Sequence, residues 1–356
     1  MPGSTRRMAL FGAALFAMGA QGALAAPAGA GFPTSPHPPA GAPNIVVIMT
    51  DDVGFGASST FGGPVPTPVL DRLAARGLRY VNFHTNALCS PTRAALLTGR
   101  NAHEVGFGNV QEMATAEPGY NSLIPTSAAT FGRVLRDAGY STAWFGKNHN
   151  VPDWQSGPAG PFDRWPSGLG FDYFYGFNGG ETNQFAPALI ENGVQREPPV
   201  GEPGYILDRD LADHATGWLR RQRASAPDRP FLIYYAPGSA HAPHQAPTEW
   251  LARFRGRFSE GWDRAREETF ARQTKLGILP AGTALTARPP EIPAWDSLSP
   301  TAKAVEARMM EAYAAQLAYC DDQIGRLLRR PDRSPARRNR AAGPGRQYAG
   351  RLHPGR

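Results

Sequence analysis

The chain has 356 residues, 41% hydrophobic and 19% charged, with 40 glycines and 35 prolines, which allows one large or two modest loop-rich globular domains. Its two cysteines, Cys89 and Cys320, exclude a disulfide framework and a zinc-type cysteine cluster; the one pairing open to them would consume Cys89. The formal net charge of +7 is carried by the end, where ten arginines from Arg326 onward face the single acid Asp332; with no aromatic interleaving beyond Tyr348, this stretch does not read as a nucleic-acid binder.

In chain order, Thr5-Arg6-Arg7-Met8 precedes an apolar run from Ala9 to Ala20 and the small-x-small site Ala23-Leu24-Ala25. Residues 1–25 read as a secretory signal peptide, too short in its apolar run for a membrane span, so the expected location is periplasmic or secreted without stable membrane insertion. The paired arginines with Leu10 and Phe11 behind them leave twin-arginine export open beside ordinary secretion. Residues 26–43, rich in Ala, Gly and Pro, are expected to be a flexible linker. Asn44 to Thr50 is an apolar, β-branched run, as in a buried parallel strand. It ends in Asp51-Asp52. Adjacent carboxylates at the carboxyl end of a buried strand need a cation or donors, though Asp and Gly also favour a plain solvated turn.

Val69 to Gly77 reads as a helix with a glycine stop, and the alternating Leu78 to His84 as a strand. Cys89-Ser90-Pro91-Thr92-Arg93 follows, then Ala94-Ala95-Leu96-Leu97-Thr98-Gly99-Arg100. Pro91 fixes the backbone after the thiol, and Arg93 adds a permanent cation in the first turn of the expected helix, a setting that suits a bound anion. His103, in the next loop, reads as structural. Phe131 to Ala138 is a helix capped by Gly139, and Tyr140 to Phe145 a strand running into Gly146-Lys147-Asn148-His149. Lys147 and His149 share the topological position of the aspartate pair.

Pro152 to Phe185 is expected to be aromatic loop and packing, with some rings lining an apolar wall. Asp210 to Gln222 is a helix, Phe231 to Tyr235 a strand, and His241 and His244 follow that strand; two histidines without a third ligand suit acid–base work better than zinc. Trp250 to Phe258 reads as an Arg-rich helix. Pro300 to Leu328 reads as one long helix, with Asp321 and Asp322 on its face.

Cys-x-Pro-x-Arg followed by Leu-Thr-Gly-Arg, the Asp51-Asp52 pair, Gly146-Lys147-Asn148-His149 and the Ala240 to Trp250 stretch resemble the type I sulfatases, bacterial arylsulfatases above all, within the alkaline-phosphatase-like superfamily. The resemblance covers Asn44 to Leu328. It implies an α/β fold with a mixed, mostly parallel central sheet flanked by helices. It also implies that a formylglycine-generating maturation enzyme oxidises Cys89 to formylglycine, the nucleophile, with Arg93 beside it. Asp51, Asp52 and the group derived from Cys89 would hold calcium, or magnesium. Lys147 would bind the sulfate oxygens, His149 would touch the formylglycine, His241 would lie near the leaving oxygen, and His244 would be a secondary pocket residue. The expected reaction is hydrolysis of a sulfate monoester; a phosphate or phosphonate ester hydrolase of the same superfamily and an inactive remnant are the alternatives.

The pattern then breaks. The family continues with a strand ending in an Asp-Asn pair, a second lysine and a smaller C-terminal domain, and residues 329–356 offer no apolar run to match. The expectation from sequence is a catalytic domain over 44–328, incomplete at its C-terminus by truncation or frameshift, followed by a disordered Arg/Pro-rich tail without a further strand.

Overall fold

The structure, a computed structural model, describes residues 36–329 and 348–354. The signal-peptide reading of 1–25 and most of the linker reading lie outside the described residues, as do 330–347 and 355–356.

Among the described residues seven strands make one sheet: β1 (Asn44–Thr50), β2 (Ser141–Lys147), β3 (Tyr173–Phe177), β4 (Leu189–Glu191), β5 (Val194–Arg196), β6 (Phe231–Ala236) and β7 (Tyr348–Pro354), in the order β5-β4-β3-β2-β6-β1-β7. β3-β2-β6-β1-β7 pair in parallel, and β4 and β5 add antiparallel at one edge. The sheet is therefore mixed and mostly parallel.

The central strands are apolar at nearly every position because both faces are covered. On β2, Trp144 faces one core while Ala143 and Phe145 face the other; on β6, Leu232, Tyr234 and Ala236 alternate with Phe231, Ile233 and Tyr235 in the same way. Helix α2 (Cys89–Thr98) and helix α3 (Phe131–Asp137) pack on the Trp144 face. Helix α1 (Pro68–Ala74), helix α4 (Leu207–Ser225) and the second half of the long helix cover the Phe145 face. Two further helices, α5 (Thr248–Arg253) and α6 (Gly261–Lys275), precede that long helix, α7 (Pro300–Leu328).

Several expectations are corrected. Leu78 to His84 forms no strand: Leu78, Tyr80 and Val81 stand exposed, because alternation makes a strand only where another strand offers backbone partners. The 152–185 stretch is not all loop, since its Tyr173–Phe177 segment pairs with β2 as β3. Asp321 is not a plain helix-face residue. It is buried, and its two carboxylate oxygens accept from the Val69 and Leu70 N–H groups at 2.9 and 3.0 Å, closing the first turn of α1.

The tail expected to hold no strand contributes β7, whose residues pair with β1 from Asn44↔Tyr348 to Thr50↔Pro354. The ladder is recruited by the backbone groups of β1, which need partners on both sides, and so does not announce itself as an apolar run. Cys89 and Cys320 are both free thiols. Among the described residues no helix is long and apolar enough to cross a membrane.

Candidate active site

The site lies at the carboxyl ends of β1, β2 and β6, where open α/β sheets bind ligands. Immediately after β1, Asp51 donates its N–H to Ser239 O at 2.8 Å and accepts from Ala240 N at 2.6 Å, which ties the end of β1 to the loop after β6. Its carboxylate is fully buried. Lys147 Nζ, at the end of β2, lies 2.5 Å from Oδ2, and Arg93 Nη2, from the second turn of α2, lies 3.1 Å from Oδ1. The Arg93 contact is an ion pair without an aligned hydrogen bond; Arg93 instead donates from Nη1 to Lys147 O at 3.2 Å. Burial alone would raise the Asp51 carboxyl, but the two cations outweigh it and hold it below the usual carboxylate range. Two buried cations against one carboxylate leave one positive charge unbalanced beneath the surface.

Above that charge opens a cleft of about 850 Å³ whose lining includes Cys89, His149, His241, Asp52, Glu112 and Glu181. Cys89 is the first residue of α2, with Pro91 in the first turn, where its missing N–H costs nothing. The thiol Sγ lies 3.2 Å from His149 Nδ1. Burial pushes the Cys89 thiol up, but the His149 hydrogen bond and the Lys147 charge reverse this and place it below the ordinary thiol value.

His149 takes a left-handed backbone, φ 59°, that few non-glycine residues adopt. Its N–H donates to Asn178 O at 3.1 Å, its carbonyl accepts from Ser90 Oγ at 2.5 Å, and Asn150 Nδ2 donates to Ser90 O at 3.0 Å. The helix start and the β2 end are thus laced together around the thiol. On its other side the ring meets Glu112, with Nε2 at 2.9 and 3.0 Å from the two carboxylate oxygens. Burial lowers the His149 pKa, but its hydrogen bonds to Cys89 and Glu112 more than offset this and raise it.

His241 donates from Nδ1 to Ala242 O at 2.8 Å and keeps Nε2 3.7 Å from Asp52 Oδ2. Beneath its loop, Ser239 Oγ donates to the buried Asp208 at 2.6 Å, and Gln316 Nε2 donates to Ser239 Oγ at 3.1 Å. His244 does not join the cleft lining: its ring stands edge-on against Tyr313, 5.4 Å between centroids. His103 likewise packs edge-on, against Tyr120.

The structure thus brings Asp51, Arg93, Lys147, Cys89 and His149 into one connected cluster, sets Asp52 and His241 at the same cleft, and leaves His244 aside. Sequence reasoning missed Glu112, Ser90 and the Asp208–Ser239–Gln316 support. Glu112 carries no motif, and only the fold carries it across 37 residues of chain to His149.

The residues expected to hold a metal are otherwise engaged. Asp51 already has both oxygens on cations, and Asp52 is half-exposed with φ 51°. Among the described residues no group of three His, Cys, Asp or Glu side chains is placed to hold an ion. Calcium takes about six to eight oxygens, so the donor set of the described residues does not fit a calcium site by itself.

A family model described as Sulfatase matches residues 43–339. The chain belongs to the sulfatase family. This sulfatase chain is 33% identical over 316 residues to an uncharacterized sulfatase of Schizosaccharomyces pombe, covering 80% of this chain and 54% of that protein. It is 32% identical over 302 residues to an arylsulfatase of Klebsiella aerogenes, covering 80% of this chain and 61% of that one. The chain therefore spans little more than half the length of these relatives. Among solved structures, one crystallised in complex with its substrate D-glucosamine-2-N,6-O-disulfate superposes with a TM-score of 0.54 at 22% identity, covering 80% of this chain and 61% of the other. At that identity the likeness is one of fold.

Proposed function

We propose that this chain is a sulfuric ester hydrolase of the arylsulfatase type that cleaves R–O–SO3⁻ with water to R–OH and hydrogen sulfate at the Cys89 cleft. The observation that carries the reading is the pair of buried cations, Arg93 and Lys147, held on the single carboxylate of Asp51, with the Lys147 charge acting on the Cys89 thiol that lines the cleft. A fixed cationic pair in a desolvated floor is suited to meet the charge of the sulfate oxygens as the S–O bond breaks. A formylglycine derived from Cys89 by a maturation enzyme would supply, as its hydrate, the attacking hydroxyl.

The chain's own residues divide the remaining work. Lys147 and Arg93, held on Asp51 below the cleft surface, supply a fixed positive field toward residue 89 rather than a direct contact. His149 Nδ1, 3.2 Å from the Cys89 sulfur, is placed to take a proton from the group that residue 89 carries. His241 spends Nδ1–H on the Ala242 carbonyl, so Nε2 is the nitrogen free to face the leaving oxygen, and it gives that oxygen a proton from the imidazolium form, leaving the neutral Nδ1–H ring. The position at the strand ends, the secretory reading of the first 25 residues and the family's sulfate chemistry are mutually consistent.

The test is hydrolysis of an aryl sulfate by the chain co-produced with a formylglycine-generating enzyme, with Cys89→Ala as control. Turnover that disappears in the control is the expected result. Equal turnover in Cys89→Ala, or faster cleavage of the matching aryl phosphate, would overturn the reading.

A further inference from the structure

Glu112 has no place in the chemistry described so far, yet it is built into the site. It sits in a short 3-10 turn, Gln111–Met113, pinned by a hydrogen bond from Gln111 Nε2 to Asp153 Oδ1 at 2.9 Å. Its carboxylate grips His149 Nε2 with both oxygens, at 2.9 and 3.0 Å. The loop above leaves room for this pair only because residue 180 is glycine: a Cβ there would lie 2.9 Å from His149 Cε1 and Nε2 and 3.1 Å from Glu112 Oε1. The other face of the ring is committed as well, with Nδ1 3.2 Å from Cys89 Sγ and the backbone held by Ser90 and Asn178.

We propose that Glu112 is a positioning residue for His149: by accepting the Nε2 proton it fixes the ring tautomer and leaves Nδ1 as the lone-pair face turned to residue 89. A neutral imidazole carries one ring proton. A carboxylate can only accept, so the proton is held at Nε2 and the basic nitrogen is Nδ1. When Nδ1 then takes a proton from the group on residue 89, the resulting imidazolium donates from Nε2 to Glu112, whose negative charge lies within hydrogen-bond reach. The proton moves from residue 89 to Nδ1, and no other bond changes at His149 or Glu112.

Glu112 is half-exposed, so its charge is partly screened, and the orientation it imposes outweighs raw Coulomb attraction. This inference rests on the proposed sulfatase chemistry for its kinetic consequence, and on the geometry alone for the tautomer.

The experiment uses the full chain with Glu112→Gln, Glu112→Ala, Glu112→Asp and Gly180→Ala. Nitrogen-15 NMR of the His149 ring reads the tautomer on a Cys89→Ala background, where no thiolate competes for the ring proton, and aryl sulfate kinetics read the converted protein. With Glu112 present the neutral ring should show protonated Nε2 and bare Nδ1, and with Glu112→Ala a mixture of tautomers. In Glu112→Ala kcat should fall about 10- to 100-fold, part of the ~10²–10⁴ that a placed general base contributes, with KM changed less than about twofold, while Glu112→Gln, whose Oε1 still accepts from Nε2, should fall less. Glu112→Asp should recover part of that loss. Gly180→Ala, which displaces the pair without touching a charge, should fall in the same way.

An unchanged tautomer in Glu112→Ala overturns the proposal, as does a changed tautomer with undiminished kcat. A wild type without turnover, with a tautomer that still depends on Glu112 on the Cys89→Ala background, supports the positioning role and counts against the sulfatase reading instead.

Discussion

Asp208 is buried beneath the His241 loop with Ser239 Oγ as the donor to one oxygen, while its other oxygen has no hydrogen-bond partner among the described residues. Burial pushes its pKa up to about 6 from an ordinary 3.8, the Ser239 hydrogen bond only partly offsetting this. A carboxyl with a raised folded-state pKa binds more protons folded than unfolded between those two values. Its contribution to stability is therefore full below about pH 4 and declines as pH rises to about 6. Two pKa units correspond to on the order of 3 kcal/mol. Asp208→Asn keeps an acceptor for Ser239 and removes the titration. The unfolding free energy of the wild type minus that of the variant should fall across this window and level off above it. Urea melts at stepped pH check this, and a difference that stays flat would show that Asp208 does not carry the shift. The Arg93–Asp51–Lys147 cluster behaves oppositely, because there two cations favour the charged carboxylate.

At the scale of elements, the site depends on β2 running close between β3 and β6. Gly146, the residue before Lys147, has φ +106°, and a Cβ on it would lie 2.1 Å from Ala236 O. Its partner across the ladder is Gly176, where a Cβ would lie 1.9 Å from Gly146 O. Only glycine permits both the backbone angle and this approach. Gly146→Ala should cost about 3 kcal/mol or more, since neither neighbouring strand can retreat without unpairing. It should also displace Lys147 from Asp51. Thermal unfolding reads the first effect, and a variant melting within a few degrees of the wild type would refute the packing argument. In the same way, the cap that Asp321 of α7 gives α1 shows one element completing another: it satisfies two helix-start N–H groups that the chain around α1 leaves without a side-chain acceptor.

For the molecule as a whole, β1 is the strand that joins the core sheet to the tail. It pairs with β6 on one side and β7 on the other and ends in the site aspartates. Deleting Tyr348–Arg356 turns β1 into an edge strand. Every second amide from Asn44 to Thr50 loses its partner, because alternate residues of a parallel strand bond to opposite neighbours. Hydrogen exchange should speed up at those alternate amides and leave those facing β6 protected. Unchanged exchange along β1 would mean that β7 adds nothing to the sheet.

Much of this was legible in the amino-acid sequence. The β-branched run into Asp51-Asp52, the strand into Lys147 and the strand before His241 announce themselves by local pattern, since a strand covered on both faces must be apolar throughout. The motif around Cys89 is likewise local, because proline, cation and helix start are close neighbours in the chain. What only the tertiary structure decided are the pairings. Leu78–His84 has a strand's alternation but no ladder, and Tyr348–Pro354 has a ladder without the alternation, because backbone hydrogen bonding requires a partner that no single segment can declare. Glu112 reaches His149, Asp208 supports Ser239 and Asp321 caps α1 for the same reason: a polar group's worth is set by what stands within about 3 Å of it. Sequence alone therefore determined which residues could do chemistry, and folding determined which of them face one another.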